Sequence, residues 1–182
     1  MKSQITQWLR RVVHIGAWIP LAWIIYDGWL NQLGIEPIRE IILRTGKTAL
    51  VLLVLSLVCT PLNILFGFRP ALQVRRALGL YAFMYAALHL TTFVGVDYGF
   101  DLALLREAIF EKPYALVGFT AFLILLPLAI TSTKGWMKRL GQQWRKLHYG
   151  VYLAAVLVIV HFVWLVKLDI REPLVYGAIV VA

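Results

Sequence analysis

The sequence predicts an all-α fold, a polytopic membrane bundle of six transmembrane helices with its N-terminus in the cytoplasm. Composition is the first observation behind this: of 182 residues, 61% are hydrophobic and 15% charged. The mean hydropathy is +0.78, beyond the range of soluble globular domains. The second is length, because the apolar residues arrive in runs of about twenty, enough helix to cross a ~30 Å hydrocarbon layer at 1.5 Å per residue. The third is periodicity. No run alternates with period two, which disfavours a β-barrel and leaves helices to pair the backbone groups in lipid.

In chain order the runs are Val12 to Leu30, Thr48 to Phe68, Ala77 to Val96, Pro113 to Thr133 and Leu147 to Val166, with a sixth starting at Pro173. Together they read as one domain over residues 1–182, with spans at about 12–30, 48–68, 77–96, 113–133, 147–166 and 173–182. The sixth run reaches Ala182 after only ten residues, too few to cross a bilayer, so it is read as the truncated start of a longer helix. Pro20, Pro61 and Pro127 fall inside spans, where neighbours can satisfy the carbonyls they free. Met1 to Arg11 has the charge order of a signal sequence, but no small-x-small cleavage site precedes Asp27. A retained first helix is expected.

Charge gives the orientation. Alternate loops place Lys2, Arg10, Arg11, Arg69, Arg75, Arg76, Lys134, Lys138, Arg139, Arg145 and Lys146 on one side with no acid. That side is the cytoplasm by the positive-inside rule. All nine acids, Asp169 among them, fall on the other side with the seven remaining cations. The net charge of +9 therefore reports topology and lipid contact; it is not gathered on one surface as a nucleic-acid partner would require. The stretches 31–47 and 97–112 are expected as the longer external loops.

Cys59 is the only cysteine, which excludes an internal disulfide, a Cys-based zinc or iron–sulfur site and a covalently attached haem. Its thiol has no visible activator and is read as packing. No Gly-rich phosphate loop is present, so no nicotinamide-binding domain is expected. No internal repeat is evident.

The four histidines, His14, His89, His148 and His161, all lie within or at the lip of apolar runs, where ionisable groups are costly enough to mark function. His89 and His161 sit about 18 and 21 Å from the inner edge of parallel spans. Matched neutral imidazoles suit the two axial positions of one haem iron. Ala82 and Ala86 before His89, and Gly150 and Ala154 before His161, share their faces and leave room for a flat ring, although small residues also serve bare helix packing.

His148 lies about 20 Å below His161, and an ideal helix leaves the two rings about 140° apart, so a shared cleft needs an overwound turn. Two readings stand: a second or alternative haem ligand, or an interfacial histidine in Trp144-Arg145-Lys146-Leu147-His148. Arg75 is about 40° off the face of His89 at the same inner level. It and Arg76 are either positive-inside anchors or donors to an anionic group such as a haem propionate, a flavin phosphate or a reduced quinone. His14 is expected in a supporting role.

Several stretches together resemble the MsrQ family, the haem-binding membrane subunits of the bacterial periplasmic protein-methionine-sulfoxide reductase system. They are Thr45-Gly46-Lys47-Thr48-Ala49-Leu50, Thr60-Pro61-Leu62, Arg69-Pro70, Arg75-Arg76-Ala77-Leu78-Gly79-Leu80, Leu88-His89-Leu90, Trp144-x-x-Leu147-His148-x-x-x-Tyr152 and His161-Phe162-x-Trp164. That family is similar to the wider ferric-reductase-like transmembrane superfamily. The resemblance implies a multi-pass cytochrome of the inner membrane with one or two haem b groups, and flavin mononucleotide (FMN). It further implies that electrons come from the quinone pool or a cytosolic flavin reductase and go to a periplasmic molybdenum-containing subunit that repairs oxidised methionine. By position His89 and His161 match the axial ligands, His148 a third haem-associated histidine, and Arg75 and Arg76 a basic pair linked to flavin or quinone. No catalytic residue for the substrate is expected in this chain. The alternatives are a cytochrome b anchor for another oxidoreductase and, in a different class, a small transporter or assembly factor without haem.

Overall fold

The computed structural model describes residues 2–166 and 170–181, and every regular element among them is helical, with no strand. Met1, Lys167, Leu168, Asp169 and Ala182 lie outside the described residues, as do the side chains of Lys2, Ser3 and Val181. The helices are α1 (Lys2–Trp29), α2 (Pro37–Phe66), α3 (Arg69–Thr91), α4 (Leu102–Glu111), α5 (Tyr114–Ile130), α6 (Lys134–Leu140), α7 (Gln142–His148), α8 (Gly150–Val166) and α9 (Arg171–Val181). A π-helical segment, Thr92–Asp97, continues α3.

The expectation of six spans is coarsened by these bounds. Pro37–Phe66, Arg69–Asp97 and Gln142–Val166 are long and apolar enough to cross a membrane by themselves. A fourth is added if α4 and α5, bent by 111°, count as one span. α1 has the length, but His14, Pro20, Asp27 and three tryptophans dilute its apolar run. α9 has 11 residues.

The two stretches expected as external loops are largely helical. α2 starts at Pro37, well before the apolar run at Thr48, because Pro at a first helical position and Glu40 in the first turn suit a helix N-terminus. α4 occupies most of 97–112. The Asp101 carboxylate caps it by accepting from the amides of Ala103 and Leu104 at 2.8 and 3.2 Å.

Residues 1–100 and 101–182 form two compact units. In the first, α2 ends on Gly67, whose left-handed φ of 63° lets its amide cap the last turn. Arg69 and Pro70 then open α3 at once, so α2 and α3 are antiparallel neighbours. α1 runs parallel to α3. Arg10 donates to Gln73, His14 meets Tyr81, and the Tyr85 hydroxyl donates to the Ala17 carbonyl and accepts from the Leu21 amide at 2.6 and 3.1 Å. Those two backbone groups are one helical step apart beside Pro20, so the fully buried Tyr85 fills the place where proline loosens the α1 ladder. Asp27, buried on α1, is held by Arg44, which also binds Glu40.

In the second unit α5 packs on α8, α8 on α9, and α6 and α7 connect the first pair. The Thr133 hydroxyl caps α6, accepting from the Trp136 amide at 3.3 Å.

Candidate functional site

His89 stands near the end of α3, against α2. Its Nδ1 lies 2.8 Å from the carbonyl oxygen of Ile42. A carbonyl only accepts, so Nδ1 carries the proton and donates it; a neutral ring then keeps its lone pair on Nε2. The ring comes this close to the α2 backbone because residue 46 is glycine. A Cβ there would stand 2.9 Å from Nδ1 and 3.1 Å from Cε1 of His89.

His161 repeats this arrangement in the second unit. Its Nδ1 donates to the Tyr114 carbonyl at 2.7 Å, and the Tyr114 ring meets the imidazole at 5.7 Å between centroids. Here the missing side chain is that of Gly118, whose Cβ would fall 2.7 Å from Nδ1 and 2.9 Å from Cε1.

The two sites are superimposable in sequence register. Histidine and carbonyl are 47 residues apart in both, the glycine follows the carbonyl by one helical turn, and all three members are displaced by 72 residues. Two positions after each glycine, Thr48 and Thr120 bond the carbonyl one turn back, each at 2.8 Å. Seven positions before each histidine, Ala82 and Ala154 are 2% and 0% exposed. This correspondence corrects the reading that the chain has no internal repeat. The signal was a Gly-x-Thr followed 43 residues after its glycine by His, twice.

The small residues before the histidines sit at close helix contacts. Ala82 and Ala154 are buried, and a Cβ at Gly150 would meet Ile124 Cγ2 of α5 at 3.4 Å. Gly150 thus serves the close approach of α8 to α5.

The far ends of the same helices carry the remaining candidates. Arg75 donates to Thr60 Oγ1 of α2 at 2.9 Å, and its own carbonyl accepts from Ser56 Oγ at 2.9 Å. Arg76 is exposed beside it. His148 places Nε2 3.2 Å from Thr131 Oγ1 of α5 and stacks on Trp144 at 3.9 Å between centroids. Thr131 spends its hydroxyl proton on the Pro127 carbonyl at 2.6 Å, so its oxygen accepts from His148 Nε2. The tautomer is opposite to that of His89 and His161. Trp144 Nε1 donates to the Thr131 carbonyl at 3.0 Å, closing a four-residue cluster.

His148 and His161 both face α5. Between them α7 gives way to α8 at Tyr149, whose carbonyl accepts from the Tyr152 amide three residues on at 3.1 Å. His14 bonds Tyr81 Oη at 2.8 Å inside the first unit, consistent with a supporting role. Among the described residues no three His, Cys, Asp or Glu side chains gather as a bare-ion site.

What these residues offer a metal is therefore imidazole nitrogen, presented in an apolar setting with its tautomer set by a backbone carbonyl. That donor chemistry fits haem iron. Sequence reasoning singles out both histidines and passes over the glycines and carbonyls packed against them.

Comparison with known proteins agrees with this donor set. Residues 45–160 match the family described as ferric reductase like transmembrane component, a stretch holding Gly46, His89, Gly118 and His148 and ending one residue before His161. The protein-methionine-sulfoxide reductase heme-binding subunit MsrQ of Xanthomonas euvesicatoria pv. vesicatoria is 44% identical over 176 residues, covering 93% of this chain and 81% of the relative. The subunit of the same name from Xanthomonas oryzae pv. oryzae is 43% identical over equal shares. That from Caulobacter vibrioides is 40% identical over 172 residues, 94% of this chain and 82% of the relative. No solved structure matches the chain. Identity of this level along nearly the whole length, together with the matched domain, makes the chain a member of the MsrQ family of ferric-reductase-like transmembrane proteins.

Proposed function

We propose that this chain is a b-type cytochrome of the bacterial inner membrane that conveys electrons from the quinone pool, or from a flavin donor, to a periplasmic molybdenum-dependent methionine sulfoxide reductase. The observation that carries the reading is the pair of imidazoles with Nδ1 committed to a backbone carbonyl, His89 on Ile42 and His161 on Tyr114. Family membership supports the haem, since the relatives are named heme-binding subunits. The charge distribution along the sequence supports six spans with the N-terminus inside.

Haem b, when bound, supplies a one-electron couple in a setting of low polarity. His89 and His161 are the residues that would hold it, each offering an imidazole whose Nδ1 proton is committed to a backbone carbonyl. The Ile42 and Tyr114 carbonyls draw on the Nδ1 protons, which makes each imidazole a stronger donor to ferric iron. Arg75 and Arg76 form the cationic end, where guanidinium forks suit a propionate, an FMN phosphate or a quinol oxyanion. His148 stands in the second unit as the counterpart of that end and is the residue for a second or alternative ligand. The sulfoxide chemistry belongs to the partner.

Absorption spectroscopy of the purified protein tests this. We expect a Soret band and a sharp reduced α-band typical of two histidine ligands, both lost in His89→Ala and in His161→Ala. Folded, monodisperse protein without colour overturns the reading.

A further inference from the structure

We infer that Gly46 and Gly118 are positioning residues: each is glycine so that a histidine ring can lie against the helix backbone and lock its Nδ1 proton onto the carbonyl one turn earlier. The inference rests on the haem-ligand reading above and goes beyond it, because it assigns ring orientation to residues other than the ligands.

Three observations carry it. The space is missing at both positions, since a Cβ would stand 2.9 Å from His89 Nδ1 at residue 46 and 2.7 Å from His161 Nδ1 at residue 118. Real Cβ contacts do not occur at such distances. The crowded atom is in each case the nitrogen that donates to the backbone, to Ile42 at 2.8 Å and to Tyr114 at 2.7 Å. A ring tied at that atom cannot yield as the free end of a flexible side chain does. Finally, the same triad recurs 72 residues later on helices joined by a wholly different connection, which ties it to the histidine and not to the local turn.

Three α-helical glycines away from His89 and His161 set the contrast, whereas Gly95 of the π-helical segment is crowded by a different ring, with Phe100 Cζ 2.7 Å from its built Cβ. Gly16 has nothing within 4 Å of a built Cβ, Gly79 meets only Ser56 Oγ at 3.4 Å, and Gly177 only Ile159 Cγ2 at 3.6 Å. Glycine within a helix is less favourable than alanine. At 46 and 118 alanine would gain that propensity and lose the lock. The bond that disappears is Nδ1–H to carbonyl; without it the imidazole is a weaker donor to ferric iron, so the potential moves positive.

The experiment compares Gly46→Ala and Gly118→Ala with Gly79→Ala and Gly177→Ala in full-length protein purified from membranes. The readouts are the ferric low-spin signal, the midpoint potential and 15N resonances of labelled histidine. We expect the first two variants to lose low-spin intensity, move the potential positive and shift a histidine Nδ1 resonance. The Gly79 and Gly177 variants should match the wild type. Should Gly46→Ala fail to fold, Gly46→Ala/His89→Ala must recover the fold, because the clash needs the ring. The inference is overturned if the 46 and 118 variants keep wild-type spectra, potential and Nδ1 resonances, if Gly79→Ala and Gly177→Ala change them equally, or if the double variant is no better folded than the single. Haem failure is distinguished separately: a wild type without haem sinks the functional reading, while the Nδ1 resonances still decide the positioning.

Discussion

The helix pair α2–α3 and the pair α5–α8 place their histidines alike and are otherwise built differently. α2 turns into α3 through Gly67 and Phe68 alone, whereas α5 reaches α8 through α6 and α7. α1 lies along α3 and fixes it with Tyr85 and His14, while α9 is the short helix that packs on α8. At the ends remote from the paired histidines, one pair offers Arg75 to Thr60 and the other His148 to Thr131. The imidazole lock therefore depends on the register of two antiparallel helices and is indifferent to how the chain connects them. What the pairs do not share, a guanidinium against an imidazole, is where their chemistry diverges.

Five substitutions, in three steps, sharpen that comparison. The largest effect is expected for Tyr85→Phe, which strips the buried hydroxyl from Ala17 and Leu21 in the first unit only. Leaving those groups without it costs about 1–3 kcal/mol, read as a lower midpoint of unfolding in detergent. The position 72 residues on is Leu157, and Leu157→Met should change stability by less than about 1.5 kcal/mol. Equal losses in the two would contradict the asymmetry.

Trp144→Phe comes next. It keeps a ring beside His148 and removes the Nε1 donor to the Thr131 carbonyl, a loss of about 1 kcal/mol. Because this cluster lies at the end of α5 remote from Tyr114 and His161, the spectrum assigned to His89 and His161 should keep its bis-histidine form. Conversion to a high-spin spectrum would show that the cluster supports the ligands directly.

The smallest effects belong to Thr48→Val and Thr120→Val. Each removes a hydroxyl bonded within its own helix, so each should stay within about 0.5 kcal/mol of wild type. The two should agree with each other. A large difference between them would break the equivalence of the two pairs.

Much of this was legible in the sequence, and the rest failed for identifiable reasons. His89 and His161 stood out because a titratable ring is rare in apolar runs. Gly46 and Gly118 did not, since a lone glycine in such a run looks like any packing residue until a neighbour is placed against it. Apolar runs mark where lipid is met and not where a helix begins. Hence the polar first turns of α2 were assigned to a loop, although Pro37 and Glu40 signalled a start. α4 was overlooked despite Asp101, whose capping pattern precedes a mixed polar and apolar segment. The histidine tautomers were invisible because they depend on carbonyls, and every residue has one.

Tyr85 has a consequence for biogenesis. The first helix contains a proline, and the hydroxyl that mends its ladder is 68 residues further along the chain. The chain as far as Tyr85 must leave the ribosome before the opening segment acquires its final form. Assembly of this half thus has a built-in order in time: the earliest segment to be made waits for the third to complete it.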